Sequence, residues 1–115
     1  MSMTAETLYK TKVKKWLDSQ NIYHIPYAAS MFSKSGVPDT LLCISGMFIA
    51  VEFKSEDGKV SELQKAQIWR INNAHGCAFV LYPKDFEAFK VLITSLKVEI
   101  KFETVINLRR LGNGK

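Results

Sequence analysis

The sequence predicts an α/β fold in which helices flank a mixed central sheet, with a core in the order α-β-β-β-α-β. Apolar residues recur at helical spacing in some segments, and other segments are short apolar runs typical of strands. Turn-forming residues separate these segments, for example at Pro83. The predicted helices span 4–19, 62–75 and 86–96, and the predicted strands span 21–27, 40–44, 47–54 and 77–82.

The first predicted helix has an unusual acidic residue on its apolar face. Thr4 is of a type that caps helices. Four apolar residues share one face of this helix: Tyr9, Val13, Trp16 and Leu17. Glu6 falls on the same face, one turn before Tyr9.

The second and third strands are expected to form a hairpin, because only Ser45-Gly46 separates them. The run 77–82 is almost wholly apolar, which is typical of a central, buried strand. Gly76 stands where the second helix should end, and we expect it to adopt the left-handed conformation there.

The length of 115 residues predicts one domain over 1–115, with a core at about 4–96 and a loose tail at 107–115. Residues 98–106 alternate in a way that predicts a further strand. Trp16 and Trp69 are expected in the core, and His24 and His75 are expected to be structural.

The composition favours a soluble protein with an anionic partner. Apolar residues make up 47% and charged residues 23% of the chain, and the net charge is +5, which suits nucleic acid or merely a solvated basic surface. Cys43 and Cys77 lie in apolar runs and are expected as buried, reduced thiols, too few for an iron–sulfur cluster or a four-cysteine zinc site. We expect no membrane span and no export signal, and therefore a cytoplasmic protein.

The third strand carries two charged residues at its end. Alternation puts Ile49, Val51 and Phe53 on one face, which should be core, and Glu52 and Lys54 on the other. Burying this pair is unfavourable unless the two residues pair with each other or bind an ion. Taken alone, a plain ion pair explains them.

Asp39 adds a second carboxylate. A short hairpin turn pairs the start of the second strand with the end of the third, so we expect Asp39 beside Glu52. Two adjacent carboxylates repel and would both gain from a shared divalent cation such as Mg²⁺. Asp after Pro38 is also common in turns, which is the alternative explanation.

These residues resemble a known family. Pro38-Asp39 followed by Glu52-Phe53-Lys54 is similar to the signature of the PD-(D/E)xK nucleases. The segments 36–39, 51–55 and 61–64 resemble the VRR-NUC branch in particular, and the resemblance covers residues 4–82. It implies a restriction-endonuclease-like core.

The resemblance also implies roles for two further residues. Glu6 matches a carboxylate on the first helix of the family pattern, although a first-turn Glu also suits the helix dipole. Gln64 matches a glutamine after the motif strand. The same Gln64 completes a capping box with Ser61, and the sequence leaves both roles open.

The activity implied by the resemblance is that of a Mg²⁺-dependent deoxyribonuclease that hydrolyses phosphodiester bonds. Asp39, Glu52 and the backbone carbonyl of Phe53 would bind Mg²⁺, for which Mn²⁺ could substitute, and Glu6 would bind it directly or through water. Lys54 would activate water or stabilise the transition state, and the sequence does not separate these roles. No small-molecule cofactor is expected. Contacts to DNA phosphates are expected from five lysines: Lys10, Lys14, Lys34, Lys59 and Lys65.

The expected substrate is branched DNA such as a Holliday junction, because the chain has no sequence-reading module and is similar to junction resolvases. The resemblance to stand-alone phage proteins suggests a homodimer with a role in DNA repair, in the cytoplasm of a bacterial host. Three alternatives stay open: a non-catalytic nucleic-acid-binding module, a subunit of a larger repair or restriction complex, and a protein-interaction domain.

Overall fold

The computed structural model describes residues 4–28, 35–98 and 102–112. The helices are α1 (Ala5–Ser19), α2 (Glu62–Asn73), α3 (Phe86–Ser95) and α4 (Glu103–Arg109). The strands are β1 (Tyr23–Pro26), β2 (Thr40–Ile44), β3 (Met47–Phe53) and β4 (Cys77–Leu81), and a short 3₁₀ turn, Pro83–Asp85, precedes α3. The predicted α/β fold class, with a mixed sheet between helices, is confirmed.

The four strands form one sheet in the order β1-β2-β3-β4. β1, β2 and β3 are antiparallel neighbours, and β4 runs parallel to β3 after the α2 crossover. Ser45 and Gly46 both have positive φ, 51° and 81°, as a two-residue hairpin turn with the twist of its strands requires. This turn pairs Thr40 with Val51, so the predicted register is confirmed.

The main core lies on the face of β3 that was predicted to be apolar. Ile49, Val51 and Phe53 are fully buried there. They join apolar residues of α1 and α3 in a single cluster, with Trp16 packed edge-on against Phe86. The predicted stripe on α1 is therefore confirmed, and α1 and α3 together cover this face.

Helix α2 covers the opposite face more loosely. A Cβ on Gly76 would lie 2.8 Å from Ile71 of α2 and 3.3 Å from Phe48, which is on the same face as Glu52. Asn72 also makes two hydrogen bonds with the backbone of Ala78 in β4. None of the residues of α2 is fully buried. Trp69 is 64% exposed, so its predicted place in the core is wrong.

Two further predictions need correction. The left-handed residue after α2 is His75, with φ 68°, and Gly76 is instead required by its close approach to α2. Cys43, expected to be buried, is exposed because it points outward from β2. Both cysteines are free thiols. Burial raises the pKa of the half-buried Cys77 thiol.

The predicted strand at 98–106 is also wrong. Residues 103–109 form α4 instead, and residues 99–101 lie outside the described part of the chain. Val105 and Leu108 follow Phe102 at a spacing of three, which suits a helix as well as the alternation suits a strand. Residues 107–109, expected to be loose, are the last turn of this helix. None of the helices in the described ranges has the length and apolarity needed to cross a bilayer.

Candidate functional site

The hairpin places Asp39 beside the end of β3. Asp39 directly precedes Thr40, whose partner is Val51, so Asp39 lies opposite Glu52. The Asp39 carboxylate accepts a hydrogen bond from the Thr40 hydroxyl at 3.0 Å and one from the Phe53 amide at 3.4 Å. These contacts, one from each strand, hold the carboxylate against the end of β3.

Glu52 is a buried carboxylate, with only 6% of its surface exposed. Within the described part of the chain no group donates a hydrogen bond to it, and its nearest cation is Lys54 Nζ, 3.8 Å from Oε2. Burial, and next the charge of Asp39, raise the pKa of Glu52 to about 7. Glu6 adds to this rise, while Lys54 and Lys10 oppose it. The site therefore holds a buried carboxylate whose ionisation is unfavourable in the cation-free protein.

Lys54 is held beside Glu52 by close packing. Its side chain is 15% exposed, and a Cβ on Gly58 would lie 3.1 Å from the Lys54 Cβ. The Tyr82 hydroxyl donates to the Gly58 carbonyl at 3.3 Å, and the Tyr9 hydroxyl donates to the Tyr82 carbonyl at 2.9 Å. Two tyrosines thus connect α1 to the loop against which the Lys54 side chain packs.

Helix α1 contributes two charged residues to the site. Lys10 Nζ lies 3.4 Å from Asp39 Oδ2. Glu6, one turn earlier, is close enough to influence the ionisation of Glu52. The sequence predicted the acidic residue here but assigned Lys10 to DNA phosphates and missed its contact with Asp39. The available signal was its spacing of four from Glu6, beside the buried Tyr9.

Gln64 is engaged in a capping box. Its side-chain oxygen accepts a hydrogen bond from the Ser61 amide at 2.9 Å, and the Ser61 hydroxyl accepts one from the Gln64 amide at 3.2 Å. Of its two predicted roles, these contacts therefore support the structural one, the capping of α2. Gly36, with φ +81°, packs against this helix start, since a Cβ there would lie 2.5 Å from the Leu63 carbonyl.

The other candidate DNA-binding lysines are spread over three elements. Lys14 is half-buried on α1, and Lys59 is exposed in the loop after β3. Lys65, on α2, pairs with Glu62 at 3.1 Å. Lys34 lies outside the described residues.

The two histidines lie away from this cluster. His24 pairs with Asp18 at 2.7 Å. His75 takes the left-handed position after α2. Both placements agree with the structural roles predicted for them.

The chemistry of the donor set suits a hard divalent cation. The described ranges contain no group of three His, Cys, Asp or Glu residues close enough to hold a metal ion. Mg²⁺, however, is commonly bound through one or two carboxylates with water completing its shell. Asp39 and Glu52 supply two carboxylates at the ends of adjacent strands, and the backbone carbonyl of Phe53 follows directly.

The fold and this cluster define an α/β protein with a carboxylate pair and a lysine at the end of a hairpin. In sequence comparisons no family model matches the chain, and no curated protein matches it significantly. Its structure is similar to a solved structure described as a VRR_NUC domain protein, with a TM-score of 0.68 and 19% sequence identity, over 87% of this chain and 95% of that chain. The chain therefore has the fold of that VRR_NUC domain protein, as its sequence predicted.

Proposed function

We propose that this protein is a VRR-NUC-type nuclease that hydrolyses phosphodiester bonds in DNA with the help of a divalent cation. The observation that carries the proposal is the convergence of Asp39, Glu52 and Lys54 at the ends of two adjacent strands. The Glu52 carboxylate is buried there with its pKa raised to about 7, a condition that favours a cation-binding or catalytic role over a surface ion pair. The fold shared with a VRR_NUC domain protein supports the same conclusion.

Each residue of the cluster has a chemical role in this proposal. Asp39, Glu52 and the Phe53 carbonyl hold Mg²⁺, for which Mn²⁺ substitutes, and Glu6 strengthens the negative field around them. A bound divalent cation makes water more acidic and stabilises the charge that develops on the phosphate. Glu52 must give up its proton to act as a ligand, so cation binding releases protons below about pH 7.

Lys54 supplies positive charge at the reacting phosphate. Its ammonium is 3.8 Å from Glu52 and mostly shielded from solvent, so its position is set by the fold. An ammonium acts there as a compact point charge that orients the attacking water or stabilises the transition state. The surrounding surface, with a net charge of +5 for the chain, attracts the DNA backbone without reading its sequence.

We further propose that the substrate is branched DNA and that the active form is a homodimer. Large apolar residues are exposed on the outer sides of two helices, Val91 and Leu92 on α3 and Leu108 on α4. Large apolar side chains left exposed on a helix, such as the adjacent Val91 and Leu92, are available to an interface between two copies of the chain. A two-fold dimer would present two sites to one junction. Size-exclusion chromatography with light scattering tests this, and a monomer at micromolar concentration contradicts it.

The test of catalysis compares Lys54→Met with a matched control. Branched, flapped and linear DNA are incubated with each protein in Mg²⁺ or in EDTA. We expect cleavage only with Mg²⁺, best with branched DNA, and a loss of about 100-fold or more in Lys54→Met with DNA binding retained. Lys97→Met removes the same charge near the opposite end of the sheet, where Lys97 contacts Gln20, and should cleave normally. Cleavage by Lys54→Met at the rate of this control refutes the assignment, and binding without cleavage by the wild type indicates a non-catalytic module.

A further inference from the structure

The ammonium of Lys10 lies against a carboxylate that the proposed cation site also uses. Its Nζ is 3.4 Å from Asp39 Oδ2, the oxygen that also accepts the Phe53 amide hydrogen bond. The same Nζ lies 5.9 Å from the centre of the Phe53 ring. The Lys10 side chain is 28% exposed, so its ammonium can exchange this contact for solvent or for another anion.

Electrostatics gives this contact two opposing effects. Without a cation, Asp39 and Glu52 repel each other, and the Lys10 ammonium beside Asp39 Oδ2 offsets part of that repulsion. When a divalent cation approaches, the same ammonium becomes a like charge a few ångströms away and opposes binding. Lys54, on the other side, contacts Glu52 rather than Asp39, so the two lysines act on different carboxylates.

We propose that Lys10 is a positioning residue that holds Asp39 in the cation-free protein and weakens the binding of divalent cations. Its ammonium leaves Asp39 Oδ2 when the cation binds. The displaced ammonium is then available to a DNA phosphate, so the substrate favours the cation-loaded arrangement. This inference rests on the proposed function, because it requires a divalent-cation site at Asp39 and Glu52.

The experiment measures Mn²⁺ binding by isothermal titration calorimetry, without DNA, in the wild type and three variants. Lys10→Met keeps the length of the side chain and its packing over Phe53 but removes the charge. Lys10→Arg keeps the charge. Lys15→Met removes the same charge from an exposed position on the same helix. Circular dichroism establishes that each variant is folded.

We expect Lys10→Met to bind Mn²⁺ roughly tenfold more tightly than the wild type at low salt. Lys10→Arg and Lys15→Met should stay within about twofold of the wild type, and the effect of Lys10→Met should shrink in high salt because Lys10 and Asp39 are partly exposed. If Lys10 acted through packing alone, keeping the charge in Lys10→Arg would not by itself preserve the Mn²⁺ affinity of the wild type.

Two results would overturn the inference, and they are distinct. If the wild type binds Mn²⁺ and Lys10→Met binds it with equal or lower affinity, Lys10 does not oppose the cation, while the proposed nuclease site survives. If the wild type binds no Mn²⁺ at millimolar concentration, the cation site itself is absent and the proposed function fails with it.

Discussion

Replacing Glu52 with glutamine should make the cation-free protein more stable at pH 8. The folded state raises the pKa of Glu52 from its ordinary value of 4.5 to about 7, mainly through burial and the charge of Asp39. At about 1.4 kcal/mol per pH unit, ionising Glu52 in the folded protein is therefore unfavourable by about 3 kcal/mol. Glutamine has the same shape and no charge, so Glu52→Gln removes this unfavourable free energy of ionisation. It also removes the proposed activity.

The sign of the pH dependence follows from the two protonation states. Below pH 4.5 Glu52 is protonated whether the chain is folded or unfolded, and its contribution to stability is complete. Between pH 4.5 and about 7 only the folded state keeps the proton, so the free energy of unfolding falls as the pH rises. Above pH 7 the loss is complete, and the contribution no longer changes.

Urea unfolding in EDTA at pH 5 and pH 8 measures this effect. We expect Glu52→Gln to exceed the wild type by less than about 1 kcal/mol at pH 5 and by about 3 kcal/mol at pH 8. The control is Glu87→Gln, since Glu87 is 83% exposed and pairs with Lys90 on the surface of α3. The free energy of unfolding of Glu87→Gln should match that of the wild type at both pH values. A Glu52→Gln variant that is less stable than the wild type at pH 8 would refute the reasoning, because Glu52 would then be stabilising as an anion.

The remaining predictions concern the cation and the backbone. Mg²⁺ should raise the melting temperature of the wild type more at pH 8 than at pH 5 and leave Glu52→Gln unchanged, and an equal rise in both proteins would argue against Glu52 as a ligand. Gly36→Ala should destabilise by at least about 2 kcal/mol in urea unfolding, because its φ is +81° and the new Cβ meets the start of α2. Gly46→Ala has the same φ with open space around it, so its free energy of unfolding should fall clearly less. Equal losses in the two variants would show that the contact between residue 36 and the start of α2 is unimportant. Asn72→Ala should lose about 1–3 kcal/mol in the same assay, because the Ala78 amide loses its partner, and no change would mean that water replaces the side chain.

The geometry at the end of the hairpin was predictable because it depends on local rules. Side chains alternate along a strand, and a two-residue turn fixes the pairing of the strands that it joins. Together these rules placed Asp39 opposite Glu52 and put Lys54 on the face of Glu52.

The contacts that sequence reasoning missed depend on how elements pack. Lys10 reaches Asp39 because α1 packs beside the end of β3, and a long side chain could contact other partners in other packings, so its position in the sequence does not identify Asp39. Trp69 was expected in the core because its helix is amphipathic, yet no residue of α2 is fully buried and Trp69 lies on its exposed side. The apolar residues of the segment around α4 fitted two periodicities. Residues 98, 100 and 102 alternate as in a strand, while residues 102, 105 and 108 have helical spacing, and only the three-dimensional arrangement decides between them.

The two-residue link at Ser45-Gly46 has an evolutionary consequence. A one-codon insertion there that slid β2 along β3 by a single position would turn Asp39 away from Glu52, and it would turn Leu42 and Ile44 of β2 out of the core as well. A lineage of this fold can therefore lose its reactive centre through an indel far from every charged residue involved. Surveys of related genomes that look only for the acidic residues and the lysine would count such a descendant as active.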